Sequence, residues 1–138
     1  MQIREMTLKE LDSAYELVVQ LRQELSYDEF EDLIYDMRHM EYKMIGVFER
    51  EKLVSYAGVA IQTNLYHKRH LYIYDFVTDK QCRSRGYGSI MMEFLRDYAK
   101  MGACENLVLS SDLQRERAHI FYEKEGFVKK SYLFVKSI

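Results

Sequence analysis

One stretch constrains this chain more than any other: a strand that runs into a loop with spaced glycines, and a loop that opens a helix. It extends from Tyr72 to Gly102. Tyr72-Ile73-Tyr74-Asp75-Phe76-Val77 reads as a strand with apolar residues on both faces. Thr78 to Cys82 is polar, and Arg83-Ser84-Arg85-Gly86-Tyr87-Gly88-Ser89 follows. Tyr87, Ile90, Met91, Phe94, Leu95, Tyr98 and Ala99 then recur at helical spacing, with Gly102 as the expected stop. The first N–H groups of a helix have no partner inside it, and the helix dipole adds partial positive charge there. Glycines let an anion approach that backbone, and Arg83 and Arg85 add charge beside it. The order is a device for holding a phosphate.

Two nucleotide-binding readings are excluded. A dinucleotide turn needs G-x-G-x-x-G close after the strand, and here there is only Gly86-x-Gly88. A Walker loop, G-x-x-x-x-G-K-[ST], is absent.

The chain has 138 residues, enough for one domain with its own core, and the reading is a single domain over 1–138. Its 48% hydrophobic and 30% charged residues are those of an ordinary globular protein. A net charge of −2 offers no broad basic field for nucleic acid. No apolar run approaches the roughly 18 residues that span a membrane. No signal peptide is visible at Met1-Gln2-Ile3-Arg4, so a cytoplasmic location is expected. Cys82 and Cys104 are too few for a disulfide framework and read as free thiols. His67-x-x-His70 lacks the further ligands a metal needs, and no metal is expected. Twelve tyrosines suit sheet and core filling, and some can line a polar cleft, among them Tyr27, Tyr35, Tyr42, Tyr66 and Tyr72.

In chain order, Gln2 to Met6 alternates as a first strand. Thr7-x-x-Glu10 and Ser26-x-x-Glu29 are capping boxes before two short helices in series, broken near Leu25-Ser26. Tyr42–Phe48 and Leu53–Gln62 read as strands joined in a hairpin at Glu49 to Lys52. Ser55, Ala57, Gly58 and Ala60 are small enough for another backbone or a ligand to come close. After the central strand and its helix, Asn106 to Ser110 is a short buried strand, parallel to the one before because a helix crosses between them. Arg117 to Glu125 is a short helix stopped by Gly126, and Phe127 to Val135 reads as a last strand.

Arg83-x-x-Gly86-x-Gly88 between a strand and a helix resembles the acyl-CoA pyrophosphate loop of the GCN5-related N-acetyltransferase (GNAT) family. A second motif agrees: Ala118-x-x-Phe121-Tyr122-x-Lys124-x-Gly126-Phe127 resembles the A-x-x-F-Y-x-K-x-G-F segment that many of these enzymes carry. The resemblance covers nearly the whole chain and implies an α+β GNAT (acyl-CoA N-acyltransferase) fold. A mixed central sheet would be flanked by helices in the order β-α-α-β-β-β-α-β-α-β.

The resemblance implies an N-acetyltransferase that moves the acetyl group of acetyl-CoA to a primary amine of a small molecule or peptide by direct attack. Backbone amides of Phe76, Val77 and Thr78 would bind the pantetheine arm, as a sheet edge binds an added strand. The loop from Arg83 through Ser84, Arg85, Gly86, Tyr87 and Gly88 to Ser89 would hold the pyrophosphate. Tyr122 matches the family tyrosine that protonates the leaving thiolate. A phenol near pKa ~10 is a reasonable acid toward a thiolate whose thiol lies near ~8.5. For the base, Asp75 on the central strand is the main candidate. Asp112 and Glu105 are alternatives, acting directly or through water, and His119, one turn before Tyr122 on the same helix face, is a candidate proton relay. Many relatives have Asn where this chain has Arg115, which can reach a cofactor phosphate or an acidic substrate, or be a solvated charge.

The acceptor stays open among cationic small molecules, polyamines, aminoglycosides and peptide amines. The rival readings are a non-catalytic acyl-CoA-binding sensor, which would not need Tyr122, and an interaction domain with no CoA affinity. The exposed last strand offers an edge through which a homodimer could form.

Overall fold

Each capping box opens a helical segment, as its chemistry dictates. A computed structural model describes residues 1–138. In it Thr7 caps a short 3-10 turn, Leu8–Glu10, that leads into α1 (Leu11–Leu21). Ser26 caps α2 (Tyr27–Met37): its hydroxyl accepts the Glu29 N–H at 3.2 Å, and the Glu29 carboxylate accepts the Ser26 N–H at 3.3 Å. The strands are β1 (Gln2–Glu5), β2 (Lys43–Glu49), β3 (Lys52–Asn64), β4 (Lys68–Thr78) and β5 (Asn106–Leu109). Two more helices follow β4, namely α3 (Tyr87–Met101) and α4 (Glu116–Lys124). The sheet order is β1-β2-β3-β4-β5, with β1 to β4 antiparallel in sequence. The chain forms two compact units, 1–108 and 109–138. No helix is long and apolar enough to cross a membrane.

Alternation along the strands divides the sheet of the first unit into two buried faces. On one, Met44, Phe48, Leu53, Tyr56 and Val77 pack with Leu11, Ala14, Leu17 and Val18 of α1 and Phe30 and Ile34 of α2. The other carries Ile45, Val47, Ala57, Val59, Leu71 and Ile73, all nearly inaccessible. There α3, which packs on β3 and β4, buries Met91, Met92, Leu95 and Ala99. A fully buried side chain of this size contributes about 1.5–3 kcal/mol, so the two layers rather than helix propensity hold α1 and α3 in place.

Turns and irregularities settle the details. Arg50 and Glu51 join β2 to β3 with φ of 48° and 68°. Positive φ at both central residues is the mark of a type I′ hairpin turn, which matches strand twist but suits Asn-Gly better than Arg-Glu. At the end of α3, Gly102 has an ordinary φ of −85°, and the left-handed residue is Ala103 at 59°. Gly102 is small for a different reason. A Cβ there would lie 2.6 Å from Ile61 Cδ1 on β3.

The expected last strand, Phe127 to Val135, does not form: residues 127–138 have no regular secondary structure. Tyr132, Leu133, Phe134 and Val135 are exposed. Strand propensity expresses itself only where a face is buried and a neighbour pairs, and these side chains have no buried face.

Candidate active site

The glycine loop is pinned at its start and open at its end. Asp79 is buried; its N–H donates to Val54 C=O at 2.9 Å and its carboxylate accepts the Gln81 N–H at 3.1 Å. Gln20 of α1 clamps the same corner. Its carbonyl accepts the Lys80 N–H at 2.9 Å, and its amide donates to Asp79 at 3.4 Å. Cys82, a free thiol, is buried, and its N–H closes the turn onto Asp79 C=O at 2.8 Å. Beyond it Arg83, Ser84, Arg85 and Gly86 are exposed. Ser84 and Gly86 both take left-handed backbone, φ 65° and 84°, so the chain turns twice within three residues. Nothing lies within 4 Å of a Cβ built on Gly86, so conformation and not space selects glycine there.

Gly86 is the N-cap of α3. No side chain caps this helix, and no acidic residue sits in its first turn. The Ile90 N–H is accepted by Gly86 C=O at 3.0 Å, and the turn ahead of it presents its amides next to two arginines. Desolvation, then the Glu49 carboxylate, holds the Tyr87 phenol above its ordinary range, so that side chain adds a neutral hydroxyl at the helix start.

The end of β4 lies next to this loop in sequence. Phe76, Val77 and Thr78 pair with Ala57, Tyr56 and Ser55 of β3, and the hydroxyls of Thr78 and Ser55 are 3.2 Å apart. On the other side, β5 begins beside Arg69, whose carbonyl accepts the Glu105 N–H at 2.7 Å. β5 has four residues against eleven in β4, so β4 runs on past it.

Between these parts β4 carries a bulge. Gly58 pairs with Asp75 but Val59 pairs with Ile73, which leaves Tyr74 as the extra residue. Asp75 Oδ1 accepts from Arg22 Nε at 3.1 Å and Nη2 at 2.9 Å; Oδ2 accepts from the Tyr42 hydroxyl at 2.7 Å. Tyr42 Oη is also 2.9 Å from Tyr56 Oη. Burial first, then Tyr56 and Asp75, pushes the Tyr42 phenol well up; burial does the same to Tyr56. Both stay protonated, so the donor order is Tyr56 to Tyr42 to the Asp75 carboxylate. The Tyr42 ring crosses directly over Gly58, where a Cβ would fall 1.6 Å from Tyr42 Oη. The smallness of this part of β3 therefore makes room for a tyrosine of the same chain.

Of the remaining candidates in the first unit, Tyr27 packs on Tyr15 and Phe30, Tyr72 lies against Tyr74, and Tyr35 and Tyr66 are exposed. The His67 and His70 rings are 5.4 Å apart, and His70 is buried with Nδ1 2.8 Å from Lys68 C=O. No three His, Cys, Asp or Glu side chains gather where they could hold a metal. Glu105 is exposed.

In the second unit, Tyr122 is buried on α4. The helix end is built around it. Gly126 is left-handed, φ 97°; its N–H donates to Glu123 C=O at 3.1 Å and the Phe127 N–H donates to Tyr122 C=O at 2.9 Å. The Phe127 ring then lies 5.8 Å from the Tyr122 ring. This is the Schellman arrangement with its hydrophobic contact. It gives the Gly-Phe pair a physical task, fixing the tyrosine four residues before Gly126. His119 Nε2 lies 2.8 Å from Asp112 C=O, and Arg115 is the N-cap of α4 without a side-chain cap bond.

Residues 6–127 match the family model described as the Acetyltransferase (GNAT) family. The chain is 32% identical over 139 residues to the uncharacterized N-acetyltransferase YhdJ of Bacillus subtilis, covering 99% of this chain and 98% of that one. It is 25% identical over 143 residues to the aminoalkylphosphonate N-acetyltransferase of Salmonella typhimurium, covering 99% and 91%. The crystal structure of a transcriptional regulator from Bacillus halodurans superposes with a TM-score of 0.83 at 24% identity, covering 99% and 98%, and shares the fold. The chain belongs to the GNAT family of acetyltransferases.

Proposed function

We propose that residues 1–138 act as one domain that transfers the acetyl group of acetyl-CoA to a primary amine of a small molecule or peptide. The observation that supports it best is the exposed left-handed loop at Ser84 and Gly86, opening an uncapped α3 beside Arg83 and Arg85. An anion with several oxygens is the ligand such a corner favours, and the pyrophosphate of acetyl-CoA is one. In this reading the amides from Arg83 to Ser89, including those of Arg85, Tyr87 and Gly88, take the pyrophosphate. The amides of Phe76, Val77 and Thr78 take the pantetheine arm.

The unprotonated amine attacks the thioester carbonyl carbon, and an N–H near Phe76–Val77 receives the oxyanion. The C–S bond then breaks, the electron pair leaves with sulfur, and the Tyr122 hydroxyl protonates the thiolate. The amine gives its proton to water. Asp75, with both oxygens in hydrogen bonds to Arg22 and Tyr42, is assigned no proton transfer in this reading.

Calorimetric titration with acetyl-CoA tests the reading, comparing the native chain with Gly86→Glu. Micromolar binding, lost by at least about tenfold in the variant, is expected. No binding by the folded native chain refutes it. An amine screen scored by thiol release follows, and an aminoalkylphosphonate is a sensible first acceptor because one relative is named for it. A non-catalytic acyl-CoA-binding sensor is the rival that the same chain would support. It predicts that Tyr122→Phe changes nothing, whereas the acetyltransferase loses about 10²-fold or more in kcat.

A further inference from the structure

We infer that Asp75 is a positioning residue, the pin that fixes the bulge of β4 and thereby which amides of Phe76, Val77 and Thr78 face the acyl donor. The inference rests on the proposed use of acetyl-CoA and goes beyond it.

Register decides which amides of a strand are free. In a strand, successive N–H groups point to opposite sides, so a slip of one residue exchanges those bound to β3 for those facing away. The one extra residue of β4, Tyr74, lies immediately before the docking segment. If that residue were drawn into the ladder, Phe76, Val77 and Thr78 would each move by one position and present the opposite set of amides. Something must hold the bulge where it is.

Three groups do so, all through Asp75 and its neighbour. The Arg22 guanidinium, at the C-terminal end of α1, donates to Asp75 Oδ1 and to the Tyr74 carbonyl, the latter at 3.0 Å. The Tyr42 hydroxyl, just before β2, donates to Oδ2. Tyr56, fully buried on β3, supports the Tyr42 hydroxyl in turn. The extra residue itself is held by its side chain, since Gln62 of β3 donates to the Tyr74 hydroxyl. The bulge is thus tied to α1, to the start of β2 and to β3. A general base needs a free lone pair aimed at the amine. Of the roughly four lone pairs of Asp75, Arg22 takes both on Oδ1 and Tyr42 takes one on Oδ2, and the side chain is only 15% exposed.

Two ligands separate the roles. Acetyl-CoA engages both the loop and β4; 3′-phosphoadenosine 5′-diphosphate has the phosphates without the arm and engages the loop alone. Calorimetry with Asp75→Asn is expected to show an acetyl-CoA Kd raised about tenfold or more, with the nucleotide Kd within about twofold of native. Tyr42→Phe, which removes one hydroxyl and keeps the ring, is expected to shift acetyl-CoA alone in the same direction by about threefold or more. Native acetyl-CoA affinity in both variants overturns the inference, and is the result a base would give. Equal loss of both ligands in Asp75→Asn also overturns it, because the effect would then reach the loop. If the native chain binds neither ligand, the cofactor reading itself falls and this inference with it.

Discussion

Gly58→Ala is the substitution whose sign the structure decides against ordinary expectation. Replacing a strand glycine usually stabilises by about 0.5–1 kcal/mol, because the unfolded chain has fewer states to lose. Here the new Cβ would meet Tyr42 Oη at 1.6 Å, Cζ at 2.2 Å and Cε2 at 2.7 Å. Tyr42 is 7% exposed and cannot swing aside without leaving Tyr56 and Asp75. A neutral hydrogen bond is worth about 1 kcal/mol and one to a carboxylate about 1.5–3 kcal/mol. Overpacking adds about 1–3 kcal/mol if the ring stays. The cheaper route sets the loss at about 2–3 kcal/mol, or a melting temperature lower by about 6–10 °C for a chain of this size. Thermal and urea unfolding of Gly58→Ala, Tyr42→Ala and the double variant make the test. In the Tyr42→Ala background the ring is gone, and Gly58→Ala should be neutral or stabilising, with a coupling of about 2 kcal/mol or more. A Gly58→Ala protein that melts within about 2 °C of native, or equal losses in both backgrounds, would refute the reasoning.

Three further outcomes are expected. Replacing Arg50-Glu51 by Asn-Gly should raise stability by about 1 kcal/mol, measured by urea unfolding, because both positions have positive φ. Ala103→Gly should stabilise by about 0.5–1 kcal/mol in the same measurement and for the same reason. The bidentate Arg4 guanidinium, at 2.7 and 3.0 Å, lowers the Glu10 carboxyl from 4.5 to about 2. A depressed folded-state value gives stability that is present above pH 4.5 and lost as pH falls toward 2. Glu10→Gln should therefore flatten the acid limb of a stability–pH profile; an unchanged limb would remove Glu10 from its causes.

Local signals were readable in the sequence, and distant ones were not. The capping boxes at Thr7 and Ser26 and the break between α1 and α2 depend on residues three or four apart, and all took the expected form. The glycine loop opens α3 as its pattern required. The GNAT fold followed from motif order, since the glycine loop opens α3 and the second motif lies on α4 and its C-terminal turn. The partners of Asp75 were out of reach, because Arg22 is 53 positions away and Tyr42 is 33. A carboxylate on a strand looks the same in sequence whether it is free or held. One signal did exist: Gly58 in the middle of a strand asks what crosses it, and the answer is Tyr42. The last strand failed for the complementary reason, since the apolar run Tyr132 to Val135 reports strand propensity and says nothing of a neighbour.

The ring of Tyr42 lying over Gly58 also limits how this protein can change over generations. Growth at position 58 is tolerable only after position 42 has shrunk, and shrinkage at 42 first opens a gap over the sheet. One order of the two steps passes through a clash and the other through a cavity, so the pair is locked more firmly than either residue alone. Homologous chains that have escaped the lock should have done so at both positions together, with a larger residue facing a smaller one.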